Sequence, residues 1–256
     1  MTWTTRPRSE LAGVAAIVTG TGPDVVLIHG VGLRAEAFSA QITALSAQFR
    51  VTALDVPGHG GTPALRDPQD LLAYVAALAP ALPDRCLVAG HSMGAMLALE
   101  LAAQHPDKVA GVAALNAIYR RSPKAAQSVQ ARANDMKPPF DHSPTLTRWF
   151  GSDDSPERTA CAGWLNAADP AGYTAAYRVF AHEDGPSEAT LRALACPALF
   201  MTGAQEPNST PAMSQQMAAL TPQGRAEVVA GAAHMMPMTH PAPVNAALIA
   251  LATDAL

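Results

Sequence analysis

The segment Gly90-His91-Ser92-Met93-Gly94 constrains this chain more than any other. It follows an apolar run, Cys86 to Ala89, and opens an Ala- and Leu-rich stretch, Met93 to Gln104, whose composition suits a helix. A serine held between a strand and a helix sits on a sharp turn, which the chain can make only if the flanking positions carry no bulky side chain. The helix start then aims unpaired N–H groups, that of Met93 among them, at whatever meets the serine hydroxyl. An ordinary strand-to-helix turn can carry the same five residues, so the meaning of Ser92 depends on what the rest of the chain brings to it.

Around this segment the chain alternates apolar runs with helix-like stretches. Strands are expected at Val25 to Ile28, Val51 to Leu54, Cys86 to Ala89, Val109 to Leu115, Ala198 to Met201 and Ala226 to Ala230. Helices are expected near 35–48, 69–81, 93–104, 211–220 and 242–252. That rhythm predicts an α/β fold, a mostly parallel sheet flanked by helices. The run Leu11 to Val18, the turn Thr19 to Asp24 and Val25 to Ile28 read as an opening hairpin. The rhythm breaks after the sixth core strand, where residues 117–190 hold much of the aromatic and charged content, including Trp149, Trp164, Tyr173 and Tyr177. We expect a core of residues 1–116 and 191–256, with 117–190 as a helical cap over the carboxyl edge of the sheet, where open α/β folds bind ligands.

Composition narrows the partners. With 256 residues, 49% of them hydrophobic and 15% charged, the chain can bury a sizeable core as one unit carrying an insertion. Its charge of −4 comes from 21 acids and 17 bases dispersed along the sequence, so no basic field suits nucleic acid. Arg6 and Arg8 before the run Leu11 to Val18 imitate an export signal, but Gly13 and the following turn break it. Cys86, Cys161 and Cys196 lack metal or redox spacing and suit a reducing compartment, so a cytoplasmic location is expected. Ala-rich segments such as 71–82 are interrupted by Tyr74 and Pro80, and no membrane span is expected. No H-E-x-x-H occurs, and His182-Glu183-Asp184 lacks ligand spacing, so neither metal nor cofactor is anticipated. The expected partner is a small-molecule substrate.

Three further segments offer Ser92 its chemistry. His234 follows the last expected strand and comes after both the serine and a candidate acid, the chain order required of a base on this kind of sheet. An imidazole changes charge near neutral pH and can take a serine proton and pass it on. The candidate acid is Glu206, the only carboxylate in the loop after Ala198 to Met201, where it could hold the imidazole tautomer. Asn116, at the end of the preceding strand, is the other position from which an acid could reach, and an amide cannot serve. His29-Gly30-Val31-Gly32 follows the strand Val25 to Ile28, and there Val31 N–H could join Met93 N–H as an oxyanion donor pair. The same residues, as Gly30-x-Gly32-x-x-Ala35 with Asp55 further on, also match a dinucleotide fingerprint, a rival reading that leaves the serine turn unexplained. His59 in Asp55-Val56-Pro57-Gly58-His59-Gly60 is expected to be satisfied within its own loop. His29, Gly30, Arg34, Trp149, Tyr173 and Met235 are expected to line the substrate site, and Arg34, Arg120, Arg121 and Arg148 are candidates to bind a substrate carboxylate.

Taken together, His29-Gly30-Val31-Gly32, Asp55 to Gly60, Gly90 to Gly94, Gly203-x-x-Glu206 and Gly231-x-x-His234 resemble the α/β-hydrolase superfamily over essentially the whole chain. More loosely, Thr147-Arg148-Trp149-Phe150 and Ala168 to Tyr173 look like the 3-oxoadipate enol-lactonase group. The resemblance implies a serine hydrolase of a small ester, enol-lactone or related acyl substrate, with Ser92 as nucleophile, His234 as base and Glu206 as acid. Two alternatives stay open: hydrolysis of a C–C bond in a ring-cleavage product at the same site, and a non-catalytic ligand-binding protein of the same fold.

Overall fold

A computed structural model describes residues 3–152 and 154–256. Its strands are β1 (Ser9–Leu11), β2 (Val14–Thr19), β3 (Asp24–Ile28), β4 (Arg50–Leu54), β5 (Cys86–His91), β6 (Val109–Leu115), β7 (Ala198–Gly203) and β8 (Gly224–Val229). They form one sheet in the order β1-β2-β4-β3-β5-β6-β7-β8. From β4 onward neighbours are parallel, and β2 runs antiparallel to both β1 and β4. Helices α1 (Ser39–Leu45), α2 (Leu71–Leu78) and α3 (Met93–Gln104) precede β6. Between β6 and β7 come α4 (Pro123–Asn134), α5 (Ser143–Phe150), α6 (Pro156–Ala167), α7 (Pro170–His182) and α8 (Glu188–Ala193). The chain closes with α9 (Pro211–Leu220), α10 (Met236–Thr239) and α11 (Pro241–Ala255).

The central strands are apolar on both faces because both faces are covered. Val26, Ile28 and Val88 pack on the side of α2 and α3, whereas Val25, Leu27, Leu87 and Ala89 meet α1 and α11. This is the two-residue alternation of a strand dividing one apolar run between two cores. Among the described residues no helix is long and apolar enough to cross a membrane.

Three details differ from the sequence expectation. The opening hairpin is β1 with β2, not β2 with β3, which lies between β4 and β5. A strand buried on both faces needs neighbours on both sides. The intervening turn also passes against the backbone of residues 48–49, where a Cβ on Gly20 would lie 2.2 Å from Phe49 O. The helix near 35–48 divides into a 3₁₀ turn, Ala35–Phe38, and α1. In the insertion, α8 spans the expected boundary at 190 and packs on α3 and α9 of the core.

Arg8 ties this architecture together near the sheet edge. Its guanidinium donates to both carboxylate oxygens of Glu36, at 2.9 and 2.7 Å, and to both of Asp55, at 2.7 and 3.2 Å. Asp55 also accepts from Ala35 N–H and Gly61 N–H, each at 2.8 Å, so one buried carboxylate gathers the loops after β3 and β4. Burial opposes the charge on Glu36, but the hydrogen bonds from Arg8 and Arg6 N–H, with the charge of Arg34, hold its carboxyl down to about 2. Arg8→Ala would leave these buried carboxylates short of a counter-charge. We expect a loss of about 3–5 kcal/mol of unfolding free energy, measured by urea denaturation. A change below about 1 kcal/mol would show that Arg34 and the backbone donors suffice.

Candidate active site

Ser92 stands between β5 and α3 with φ 57° and ψ −120°, a strained conformation for a residue with a Cβ. The turn is held by Ser92 N–H donating to Leu115 O at 2.9 Å. Neither flanking glycine could be larger. A Cβ on Gly90 would lie 1.9 Å from Gly94 O, and one on Gly94 would lie 2.1 Å from Ile28 O. Gly30 also approaches closely: a Cβ there would sit 3.0 Å from Ser92 Cβ and 3.5 Å from Ser92 Oγ. Among the described residues, the N–H groups of Val31 and Met93 have no protein acceptor. Both lie beside the serine, and the Met93 donor is also the first of the α3 N-terminus, where negative charge is favoured.

The loops after β7 and β8 bring Glu206 and His234 together. His234 Nδ1–H donates to Glu206 Oε2 at 2.9 Å, which leaves Nε2 as the acceptor of the neutral ring. Burial would raise the Glu206 carboxyl. The charge and hydrogen bond of His234, with N–H donation from Asn208 at 2.7 Å and Ser209 at 3.3 Å, bring it down to about 2. Asn116 Nδ2 adds a long contact to Glu206 Oε2 at 3.4 Å. Trp149 stacks on the His234 ring, with centroids 5.9 Å apart and planes 23° apart, so its π face can favour a positively charged imidazole. Ser92 and His234 line one cavity of about 300 Å³ without a hydrogen bond between their side chains. Such contacts commonly close only once substrate is bound.

The structure redistributes the residues expected at the substrate. Gly30, Trp149 and Tyr173 line the cavity with Ser92 and His234. His29 does not: it is buried, its Nδ1–H donates to Gly30 O at 2.8 Å and its Nε2 accepts from Val56 N–H at 3.0 Å, so both ring nitrogens are spent on backbone. Arg34 pairs with Glu36 at 2.7 Å and borders a different cavity, beside His59. Met235 is buried behind His234 in a cluster with Leu33 and Tyr173. Arg120 is exposed and pairs with Glu188 at 2.5 Å, whereas Arg121 and Arg148 do reach the cavity. Arg132, Tyr177 and Asn208 also line it and were missed from sequence; Arg132 lies on the polar stretch of α4, which carries no local sign of which side faces the serine. Asp55 is enclosed by Arg8 and two backbone donors and Gly30 faces Ser92, which removes the ground for the dinucleotide reading. Among the described residues no group of three or more His, Cys, Asp or Glu is placed to hold a metal ion.

Residues 25–247 match the model of the alpha/beta hydrolase family. The chain is 38% identical over 238 residues to the (E)-2-((N-methylformamido)methylene)succinate hydrolase of Acinetobacter baylyi, covering 90% of each chain. Among solved structures it resembles a thermophilic esterase from Thermogutta terrifontis with malate bound, at 26% identity and a TM-score of 0.82, over 96% of this chain and 97% of that one. The enol-lactonase of Burkholderia xenovorans shares the fold at 24% identity and a TM-score of 0.82, over 96% of this chain and 100% of that one.

Three imidazoles beneath the cavity are held neutral. Besides His29, His59 Nε2 accepts from Gly32 N–H at 2.9 Å, and His91 Nε2–H donates to His234 O at 2.7 Å. Burial lowers the pKa of all three, to about 3 for His59 and His91. Each therefore takes a proton more readily in the unfolded chain. Their contribution to stability is complete above the ordinary imidazole value of 6.5 and is lost as pH falls toward 3. Glu36 and Glu206, whose ordinary value is 4.5, contribute most of their acid destabilisation below it, so the interval above reports chiefly the histidines. Urea denaturation at pH 7.5 and pH 5 should give a lower midpoint at pH 5 with an unchanged slope. Equal midpoints would contradict the neutral burial of these rings.

Proposed function

We propose, from the fact that the chain belongs to the alpha/beta hydrolase family, that it hydrolyses a small carboxylic ester, enol-lactone or related acyl substrate through an acyl-enzyme on Ser92. The observation that carries this reading is the Glu206–His234 hydrogen bond at the wall of the cavity that Ser92 enters from its strained turn. Ser92 Oγ attacks the acyl carbon while His234 Nε2 takes its proton, and Glu206 keeps Nδ1–H in place and balances the imidazolium. The oxyanion is received by Val31 N–H and Met93 N–H. His234 then gives its proton to the departing group, leaving the acyl group on Ser92. Water attacks that ester, again passing a proton to Nε2, and the acid leaves as the proton returns to Ser92.

The insertion between β6 and β7 serves as the cap, with Trp149, Tyr173 and Tyr177 shaping the space for the acyl group. The names of the relatives support a carboxylate-bearing substrate: one is named for hydrolysing a substituted methylenesuccinate, and another esterase was solved with malate bound.

Intact-mass labelling with a neutral fluorophosphonate tests the nucleophile. The wild-type protein should gain one adduct and Ser92→Ala none. Glu206→Gln should lower kcat for a small ester by about 10³- to 10⁴-fold, the scale expected when the acid that orients a catalytic imidazole loses its charge. A wild-type protein that is neither labelled nor active on any small ester would overturn the proposal.

A further inference from the structure

Among the described residues, the cavity that holds Ser92 and His234 is lined by three arginines, Arg121, Arg132 and Arg148, and by no aspartate or glutamate. In a chain with more acids than bases, that local excess of positive charge calls for a physical account. Other arginines at enclosed positions meet carboxylates, as Arg8 does with Glu36 and Asp55, and Arg34 with Glu36. These three meet neutral groups. Arg121 donates to Glu183 O and, at 3.3 Å, to Phe180 O, with its guanidinium 4.7 Å above the Phe180 ring. Arg132 Nε donates to Tyr177 Oη at 3.2 Å and its Nη1 to Ser128 Oγ at 2.9 Å, while Arg148 Nη2 donates to Thr145 Oγ1 at 2.8 Å. Such partners orient a guanidinium without neutralising it, and spare N–H donors remain on each.

The surrounding acids reduce the excess at Arg121 without pairing with its guanidinium. Asp184 accepts the backbone N–H of Arg121, and Glu183 accepts that of Leu71. Asp135, Asp141 and Lys137 border an adjoining outer cavity of about 250 Å³. Among the described residues none of these acids forms an ion pair with the three arginines. Burial, with the neighbouring charge of Arg132, lowers the pKa of Arg121 to about 10 against the opposing charges of Asp184 and Glu183, and lowers that of Arg148 as well. Arg132 thus disfavours the charge on both Arg121 and Arg148, and an anion between these cations would relieve that repulsion.

Their placement also separates two positions. Arg121 borders the inner cavity alone, whereas Arg132 and Arg148 stand in the wall it shares with the outer one. We propose that these arginines form a dianion subsite, so that the substrate is a small acyl compound carrying two carboxylates, one read at Arg121 and one between Arg132 and Arg148. The inference rests on the Ser92 reading only for which bond is cut, since the anions are recognised by the cap. Of the arginines weighed from sequence, it keeps Arg121 and Arg148, adds Arg132 and discards Arg34 and Arg120, whose charges are already met.

Succinate, glutarate and butyrate serve as probes, titrated calorimetrically into the intact protein and used to protect Ser92 from the neutral fluorophosphonate. The dicarboxylates should bind about tenfold or more tighter than butyrate, the scale of one added charge-assisted bidentate pair, and the gap should narrow with added salt. Arg132→Gln and Arg148→Gln, both at the cavity mouth, should each cut that preference several-fold. Arg148→Lys should restore part of it, and Arg120→Gln, outside the cavity, should leave it unchanged. Dicarboxylate binding without labelling would support the subsite while removing the Ser92 reading. Equal binding of succinate and butyrate, or a preference that survives the Arg132→Gln/Arg148→Gln double variant, would overturn the proposal.

Discussion

The approach of α3 to the carboxyl end of β3 is the contact on which the rest of the site depends. At Gly94 the helix meets the carbonyl of Ile28 so closely that a Cβ would lie 2.1 Å from it, and Gly90 meets Gly94 in the same way. The first turn of α3 therefore rests directly on the central strands, and the chain must reverse sharply at Ser92 to enter it. A left-handed serine costs on the order of 1–3 kcal/mol, which the buried faces of α3 and β5 can offset. The same contact constrains the next loop, since a Cβ on Gly30 would sit 3.0 Å from Ser92 Cβ. A larger residue at any of these three glycines would part the helix from the strand or the loop from the serine.

Beneath that contact, the backbone is held by acceptors that carry no net charge or whose charge is already met. His29 and His59, both neutral, receive Val56 N–H and Gly32 N–H, and Asp55 receives Ala35 N–H and Gly61 N–H while bound to Arg8. On the opposite side His91 donates to the carbonyl of His234, and Glu206 is fixed by Asn208 and Ser209. Of the imidazoles at the sheet edge, only that of His234 combines a carboxylate at one nitrogen with an opening to the cavity at the other.

What could be read from the sequence follows the range of the interactions involved. The sheet was legible because buried parallel strands leave contiguous apolar runs, and the turn at Ser92 because its steric demand falls on residues two positions away. Glu206 was legible by elimination, being the only carboxylate in its loop. The partners of His29 were not, because Val56 N–H reaches it from 27 positions away through a register that only the folded sheet defines. Arg34 looked free because its neutralising Glu36 had no assigned direction, and Met235 looked exposed beside His234 although its side chain turns into an apolar cluster. The pairing of β2 with β4 was missed for a similar reason: an apolar run followed by a glycine turn records that the chain bends, not which neighbour it meets.

Sheet and helices thus divide the electrostatics of the cavity. The sheet edge contributes backbone N–H groups, neutral imidazoles and a carboxylate whose charge faces His234, an arrangement suited to transient charge at a reacting centre. The segment between β6 and β7 contributes permanent cations, Arg121 from the loop before α4, Arg132 from α4 and Arg148 from α5, with neutral hydrogen-bond partners for their guanidinium groups. A permanent charge at the sheet edge would bias His234 in both of its protonation states, whereas at the cap wall it can act on the substrate with less effect on the base. In the proposed function, bond cleavage and substrate choice are therefore separable by position in the chain. On that proposal, changes on α4 and α5 redirect which anion is read, and the glycines that hold α3 against β3 need not move.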